Sequence, residues 1–278
     1  MMLFKKEKSW LRFYSMEPGV AEVFPIIPAH KMKRTWMQRN DPPDPDNGNM
    51  HTKNCPGITK LVSLGYVVCA PADFIIKTDA NNNTSFDWAE SKRFNTEDPE
   101  AKRYIGFHNQ HQTEPTLDDP SKSLKVAVKI DTPWRVKASD DILLLQVPVS
   151  YNNEPRFTAA HGVLDPRYGH VVNVQLYWHV LEGETLVKAG TPLVQYIPIQ
   201  RNFGLGNIDL TVDDATQDDK ELEKAFNYSN SCIFLKDDSL KSRLQRTTAV
   251  MTKYKHRRKT LWTSLLKSIS QLLKLKQF

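Results

Sequence analysis

Two places in this chain bring together side-chain types that could do chemistry. Asp165 and Tyr168 stand in Asp165-Pro166-Arg167-Tyr168-Gly169, a polar turn between apolar runs. A carboxylate there can act as a general base or hold a sugar hydroxyl, and a nearby tyrosine ring can stack on a substrate. The same carboxylate can instead accept backbone N–H bonds and seed the turn. His108 and His111 form a His-x-x-His pair, a spacing suited to two metal ligands, which His161, His170 or Asp165 could complete. No third ligand stands at a standard spacing, so surface or hydrogen-bonded histidines are the plainer reading. Cys55, Cys69 and Cys232 are odd in number and widely spaced. They fit a reducing compartment and small core positions better than a disulfide framework or a set of nucleophiles. Gly-x-Ser-x-Gly, His-Glu-x-x-His, Cys-x-x-Cys and Walker patterns are all absent from the sequence, so no cofactor is implied.

Charge divides the chain unevenly. The net charge of +6 resides in residues 251–278, which carry eight Lys/Arg and no acid, so the first 250 residues come to −2. A body that is nearly neutral argues against a protein that binds nucleic acid over its whole surface. Lys31, Lys33, Arg34 and Arg39 around Trp36 could form a local nucleic-acid patch with a stacking ring. A solvated segment with Trp36 docked on the body is the preferred reading. The tail is the clearest amphipathic helix, with Leu261, Leu265, Ile269, Leu272 and Leu273 on one face and Trp262 and Leu266 beside it. Its cations include Arg257, Arg258 and Lys259. Four targets suit it: the acidic residues 209–223 of the chain itself, another protein, an anionic membrane surface, or nucleic acid. No run of about 18 apolar residues exists, so no transmembrane helix is expected. The N-terminus lacks the apolar segment of a secretory signal.

The elements that would position these groups are mostly strands. His161–Arg201 reads as three strands, at Val171–Trp178, Thr185–Val187 and Leu193–Ile199, punctuated by Gly162, Gly169, Gly183 and Gly190. Upstream, residues 10–28 read as two strands around Glu17-Pro18-Gly19, the second at a sheet edge because of Pro25 and Pro28. Ile58–Leu64 reads as a short helix stopped by Gly65, followed by a buried strand at Tyr66–Ala70. Phe74–Lys77 and Ser85–Trp88 flank a hairpin turn. Leu124–Ile130 alternates, Thr132-Pro133-Trp134 is expected to break the strand, and Leu143–Val149 reads as a buried strand. Such closely spaced strands predict a mainly β protein, an antiparallel barrel or sandwich with a C-terminal helical extension. The expected division is a β-rich core over 1–207, an acidic-to-basic and partly helical connector over 208–250, and a basic amphipathic tail over 251–278.

Gly162-Val163-Leu164-Asp165-Pro166-Arg167-Tyr168-Gly169 and Ala189-Gly190-Thr191-Pro192-Leu193-Val194-Gln195-Tyr196-Ile197 resemble paired motifs of the dUTPase/dCTP-deaminase superfamily, the β-clip fold. That resemblance implies a homo-oligomer, a trimer. It also implies a nucleotide site in which Asp165 positions the attacking water and Tyr168 packs on the deoxyribose. The family's phosphate-binding segment has no counterpart here: no glycine lies between residues 107 and 161, and no Gly-rich C-terminal arm follows. Residues 10–201 are also similar to a group of tailed-phage proteins, sharing Cys55-Pro56, Gly65-Tyr66-Val67-Val68, Pro133-Trp134-Arg135-Val136-Lys137 and the Gly162–Asp165 turn. This second resemblance implies a setting in the cytoplasm of an infected bacterium or in the virion. The combined expectation is a non-enzymatic β-clip protein with a structural or interaction role. The alternative is a nucleotide hydrolase or deaminase using Asp165 and Tyr168.

Overall fold

The structure is a computed structural model and describes residues 8–15, 17–39, 53, 55–80, 82–91, 104–202 and 212–231. It divides into two units, Met1–Ile208 and Asp209–Phe278. The first unit holds three antiparallel sheets. One contains β1 (Leu11–Ser15), β6 (Ile105–His108), β7 (Ala127–Ala138), β9 (Phe157–Ala159) and β11 (Val171–Trp178), in the order β1-β7-β11-β9 with β6 also on β7. The second runs β10 (Gly162–Leu164), β8 (Ile142–Val147), β13 (Pro192–Gln200), β3 (Tyr66–Cys69), β2 (Ile27–Pro28). The third runs β12 (Gly183–Val187), β4 (Phe74–Asp79), β5 (Asn82–Glu90). The protein is therefore mainly β and antiparallel as the strand spacing predicts, but the sheets do not close into one barrel.

The three strands of the central stretch do not stay together. β11, β12 and β13 enter three different sheets, so this stretch links every layer of the fold. Their inward side chains meet in one core that includes Trp178, Leu176, Val187, Leu193, Val194 and Tyr196, with Phe74 and Ile76 from β4 and Leu144 from β8. Phe157 stacks on Trp178 at 5.8 Å between ring centroids. Each such large side chain taken fully out of water contributes about 1.5–3 kcal/mol. Two of the polar side chains in this core pair with each other: the Tyr196 hydroxyl donates to Gln146 Oε1 at 2.6 Å, and Gln146 Nε2 donates to the Ala160 carbonyl at 2.8 Å. Burial pushes the Tyr196 phenol well up, which keeps it a donor.

Two expectations are corrected. Val20–Val23 forms one helical turn, α1, rather than strand, and the second strand shrinks to Ile27–Pro28 at the sheet edge. Gly19 at φ 78 starts the turn, and Phe24 N–H closes it on the Val20 carbonyl at 2.9 Å. Pro133 does not break its strand. β6 pairs with Ala127–Ile130 and β1 with Trp134–Ala138, both along one edge of β7, so Pro133 falls in the gap between them. On the opposite edge the β11 ladder shifts register between Val171 and Asn173. A missing N–H there costs no ladder bond.

Two short helices follow, α2 (Thr35–Gln38) and α3 (Pro56–Ser63). The C-terminal end of α3 is tied to β13 of the second sheet through Gln195. The fully buried Gln195 donates to the Leu64 carbonyl at 2.7 Å and accepts from Ser150 N–H at 3.1 Å. α4 (Gln110–Thr113) is capped by Asn109, whose Oδ1 accepts from Gln112 N–H at 3.1 Å. In the second unit, α5 (Gln217–Ser231) starts at Thr216: the Asp219 N–H donates to Thr216 Oγ1 at 3.3 Å, and Thr216 N–H donates to Asp219 Oδ2 at 2.9 Å. This reciprocal capping places Asp218 and Asp219 where the helix dipole favours acids.

Candidate functional site

The Asp165 turn leaves the end of β10. Tyr168 and Gly169 N–H groups both donate to the Asp165 carbonyl at 3.0 Å, which closes the backbone. Two guanidinium groups then occupy the Asp165 carboxylate. Arg201 binds it bidentately, Nη1 to Oδ2 at 2.5 Å and Nη2 to Oδ1 at 2.8 Å. Arg167 adds Nη2 to Oδ2 at 3.2 Å, Nε to Oδ1 at 3.4 Å and its backbone N–H to Oδ1 at 3.1 Å. These donors, Arg201 foremost, hold the Asp165 carboxyl well below the usual carboxylate range against a smaller opposing effect of burial. Asp165 in turn raises the Arg201 guanidinium.

Arg201 is the residue the sequence motifs do not single out. It immediately follows β13, and its Nε donates to the Asp140 carbonyl at 2.6 Å while its backbone N–H donates to the Asp141 carbonyl at 2.7 Å. It thereby fastens the end of β13 to the start of β8 and to the turn after β10. With its acceptor sites taken, Asp165 is poorly suited to remove a proton from water. What the turn does present is Tyr168, 83% exposed, with the Arg167 guanidinium 5.1 Å from its ring centroid. Val163 on the neighbouring edge strand β10 is also exposed.

The histidines lie apart in role. His108 ends β6 and packs its Nε2 in the interior without a hydrogen-bond partner, whereas His111 is exposed on α4. Among the described residues, no group of three or more His, Cys, Asp and Glu could hold a metal ion. A third histidine, His179, carries the more developed hydrogen bonding. Its Nδ1 lies 2.8 Å from Ser123 Oγ and its Nε2 lies 2.7 Å from Thr158 Oγ1. Burial lowers its pKa, so the ring is kept neutral between two hydroxyls. Ser123 is buried and the second ring nitrogen meets a hydroxyl instead of a carboxylate, so the trio bridges β9 and the segment before β7 without an activated nucleophile. Sequence spacing alone carries no signal for this trio, since its members stand 21 to 56 residues apart. Of the cysteines, Cys55 is exposed, and burial pushes the Cys69 thiol up to about 11.

The basic cluster around Trp36 loses Arg34 to the interior, while Lys31, Lys33 and Arg39 are exposed. Arg34 is buried, donating from Nε to the Ser150 carbonyl at 3.0 Å and from Nη1 to the Ala29 carbonyl at 3.3 Å, and burial lowers its pKa. Trp36 docks beside Tyr151, its Nε1 donating to the Tyr151 carbonyl at 2.9 Å with the rings 5.9 Å apart. Together they clamp a loop in which Tyr151 and Asn153 adopt φ 55 and 52. The tail residues Arg257, Arg258, Lys259, Trp262, Leu265 and Ile269 lie outside the described residues, as do Cys232 and Lys236–Val250. No helix among the described residues is long and apolar enough to cross a membrane. No family model matches the chain, and neither a curated protein nor a solved structure does.

Proposed function

We propose that this chain is a binding protein rather than a catalyst, a β-clip-like structural or interaction component that offers the Asp165–Gly169 turn to a partner. The observation that carries the reading is the occupied carboxylate: Arg201 and Arg167 tie Asp165 into the turn, and the turn holds Tyr168 out in solvent. A general base works best with a pKa near the operating pH, and the two cations move Asp165 the other way. Tyrosine and arginine are among the residue types enriched where binding energy concentrates. By its resemblance to tailed-phage proteins the chain would act inside an infected bacterium or in the virion, as a homo-oligomer.

The test is catalytic. Purified protein incubated with dUTP and with dCTP should release no product above a protein-free control, with and without magnesium. Turnover that disappears in Asp165→Asn would instead establish the nucleotide-processing reading, with Asp165 as base and Tyr168 as stacking platform.

A further inference from the structure

The outer face of the first sheet carries a set of charges that folding alone does not explain. β1 and β7 pair in antiparallel register, with Arg12 directly opposite Lys137 and Tyr14 directly opposite Arg135. Like charges facing each other across a ladder are destabilising. Arg12 and Lys137 are both exposed, and among the described residues neither they nor Arg135 take part in any ion pair. The Tyr14 ring partly offsets the repulsion: Arg12 Cζ lies 5.5 Å and Lys137 Nζ 5.6 Å from its centroid. Arg135 is anchored by its Nη1 donating to the Trp134 carbonyl at 3.0 Å.

A second aromatic extends the set. Trp10 precedes β1 by one residue and continues its ladder, since Ser139 N–H donates to the Trp10 carbonyl at 3.0 Å. Its side chain is 51% exposed. Residues 10, 12 and 14 share one side of an extended strand, as do 135 and 137. Two rings and three cations without an ion-pair partner therefore share one face of the β1–β7 pair. Cations at alternate positions of neighbouring strands are spaced so that successive phosphates of an extended strand can each meet one. The rings between them supply faces on which bases stack, which every base can do. A peptide carboxylate partner would use the cations and leave the rings idle.

We propose that Trp10, Arg12, Tyr14, Arg135 and Lys137 form a binding surface for single-stranded nucleic acid, with phosphates on the three cations and bases against the two rings. The proposal does not depend on the role given to the Asp165 turn, whose end leads into β11 where Val171 pairs with Arg135. An incoming phosphate relieves the repulsion between Arg12 and Lys137, so the charge pair that costs the free sheet stability contributes to the complex.

The experiment is fluorescence anisotropy of labelled oligothymidylate, about twenty nucleotides long, titrated with the full chain across a salt series. Arg12→Gln/Lys137→Gln should weaken binding by about tenfold or more. It should also reduce the slope of log affinity against log salt by roughly 1.4, at about 0.7 for each phosphate no longer neutralised. Tyr14→Leu should weaken binding by about tenfold while leaving the salt slope in place. The tail is basic and must be separated: Arg257→Gln/Arg258→Gln/Lys259→Gln should preserve the ratio between the intact patch and its double variant. Melting temperatures of all variants are compared first, and Lys137→Gln alone, at an exposed position, replaces the double variant if that one melts lower. Equal affinity of the wild type and the patch variants overturns the proposal. So does binding that vanishes in the tail variant alone, or patch-dependent binding to phosphatidylserine vesicles without binding to the oligonucleotide.

Discussion

Gly65 shows how much of this fold rests on single backbone positions. It follows the end of α3 at φ +71, and its carbonyl accepts the Ala29 N–H at 2.9 Å. A methyl group there would overlap the Tyr196 carbonyl oxygen and stand 2.9 Å from Ile197 Cα. Both atoms are backbone of β13, so neither can rotate away. Gly65→Ala should cost about 2–5 kcal/mol, combining left-handed strain with overpacking, and a urea denaturation series would read it as a lowered midpoint. Gly65 was legible in the sequence as a helix stop. Its second duty, close approach to β13, was not, because that strand lies more than a hundred residues away. Asp165 was legible in the same partial way. The turn it seeds follows from Asp-Pro and Gly, whereas its capture by Arg201 depends on the register that brings β13 against β8.

At the scale of elements, His179 couples strand ends through hydrogen bonds that depend on its charge state. Its folded pKa is lowered by burial, so the folded protein holds its proton less tightly than the unfolded chain, whose value is about 6.5. The stability this neutral ring contributes is complete above about pH 6.5 and falls as the pH drops through the folded value, at no more than about 1.4 kcal/mol per pH unit. Denaturant midpoints measured from about pH 7.5 down to about pH 5 should decline in the wild type, and His179→Gln should decline less. Most strands themselves were readable from alternation: Val171–Trp178 shows it cleanly, with alternate residues buried. The misread elements have separate causes. Val20–Val23 is too short for a period to declare itself, and Pro133 reads as a breaker unless the gap between β1 and β6 is known.

At the scale of the molecule, all thirteen strands of the described residues fall before Ile208. The apolar core draws on all three sheets, so the sheets should unfold together rather than one by one. A chain ending at Ile208 should therefore melt in one transition, within a few degrees of the full-length protein. A truncation that fails to fold would show that residues 209–278 contribute to the core. Sheet order was beyond reach from the sequence. Periodicity tells which residues face inward but not that consecutive strands β11, β12 and β13 part into three sheets.

Whether Asp165 serves structure rather than catalysis is tested most directly by following its side-chain carboxyl carbon by NMR as the pH is lowered. The carboxyl should remain ionised well below the ordinary aspartate value of about 3.9, and Arg201→Gln should bring its titration back toward that value. An Asp165 that titrates at or above the ordinary value in the wild type, unaffected by Arg201→Gln, would contradict the account and return the residue to the role of a base.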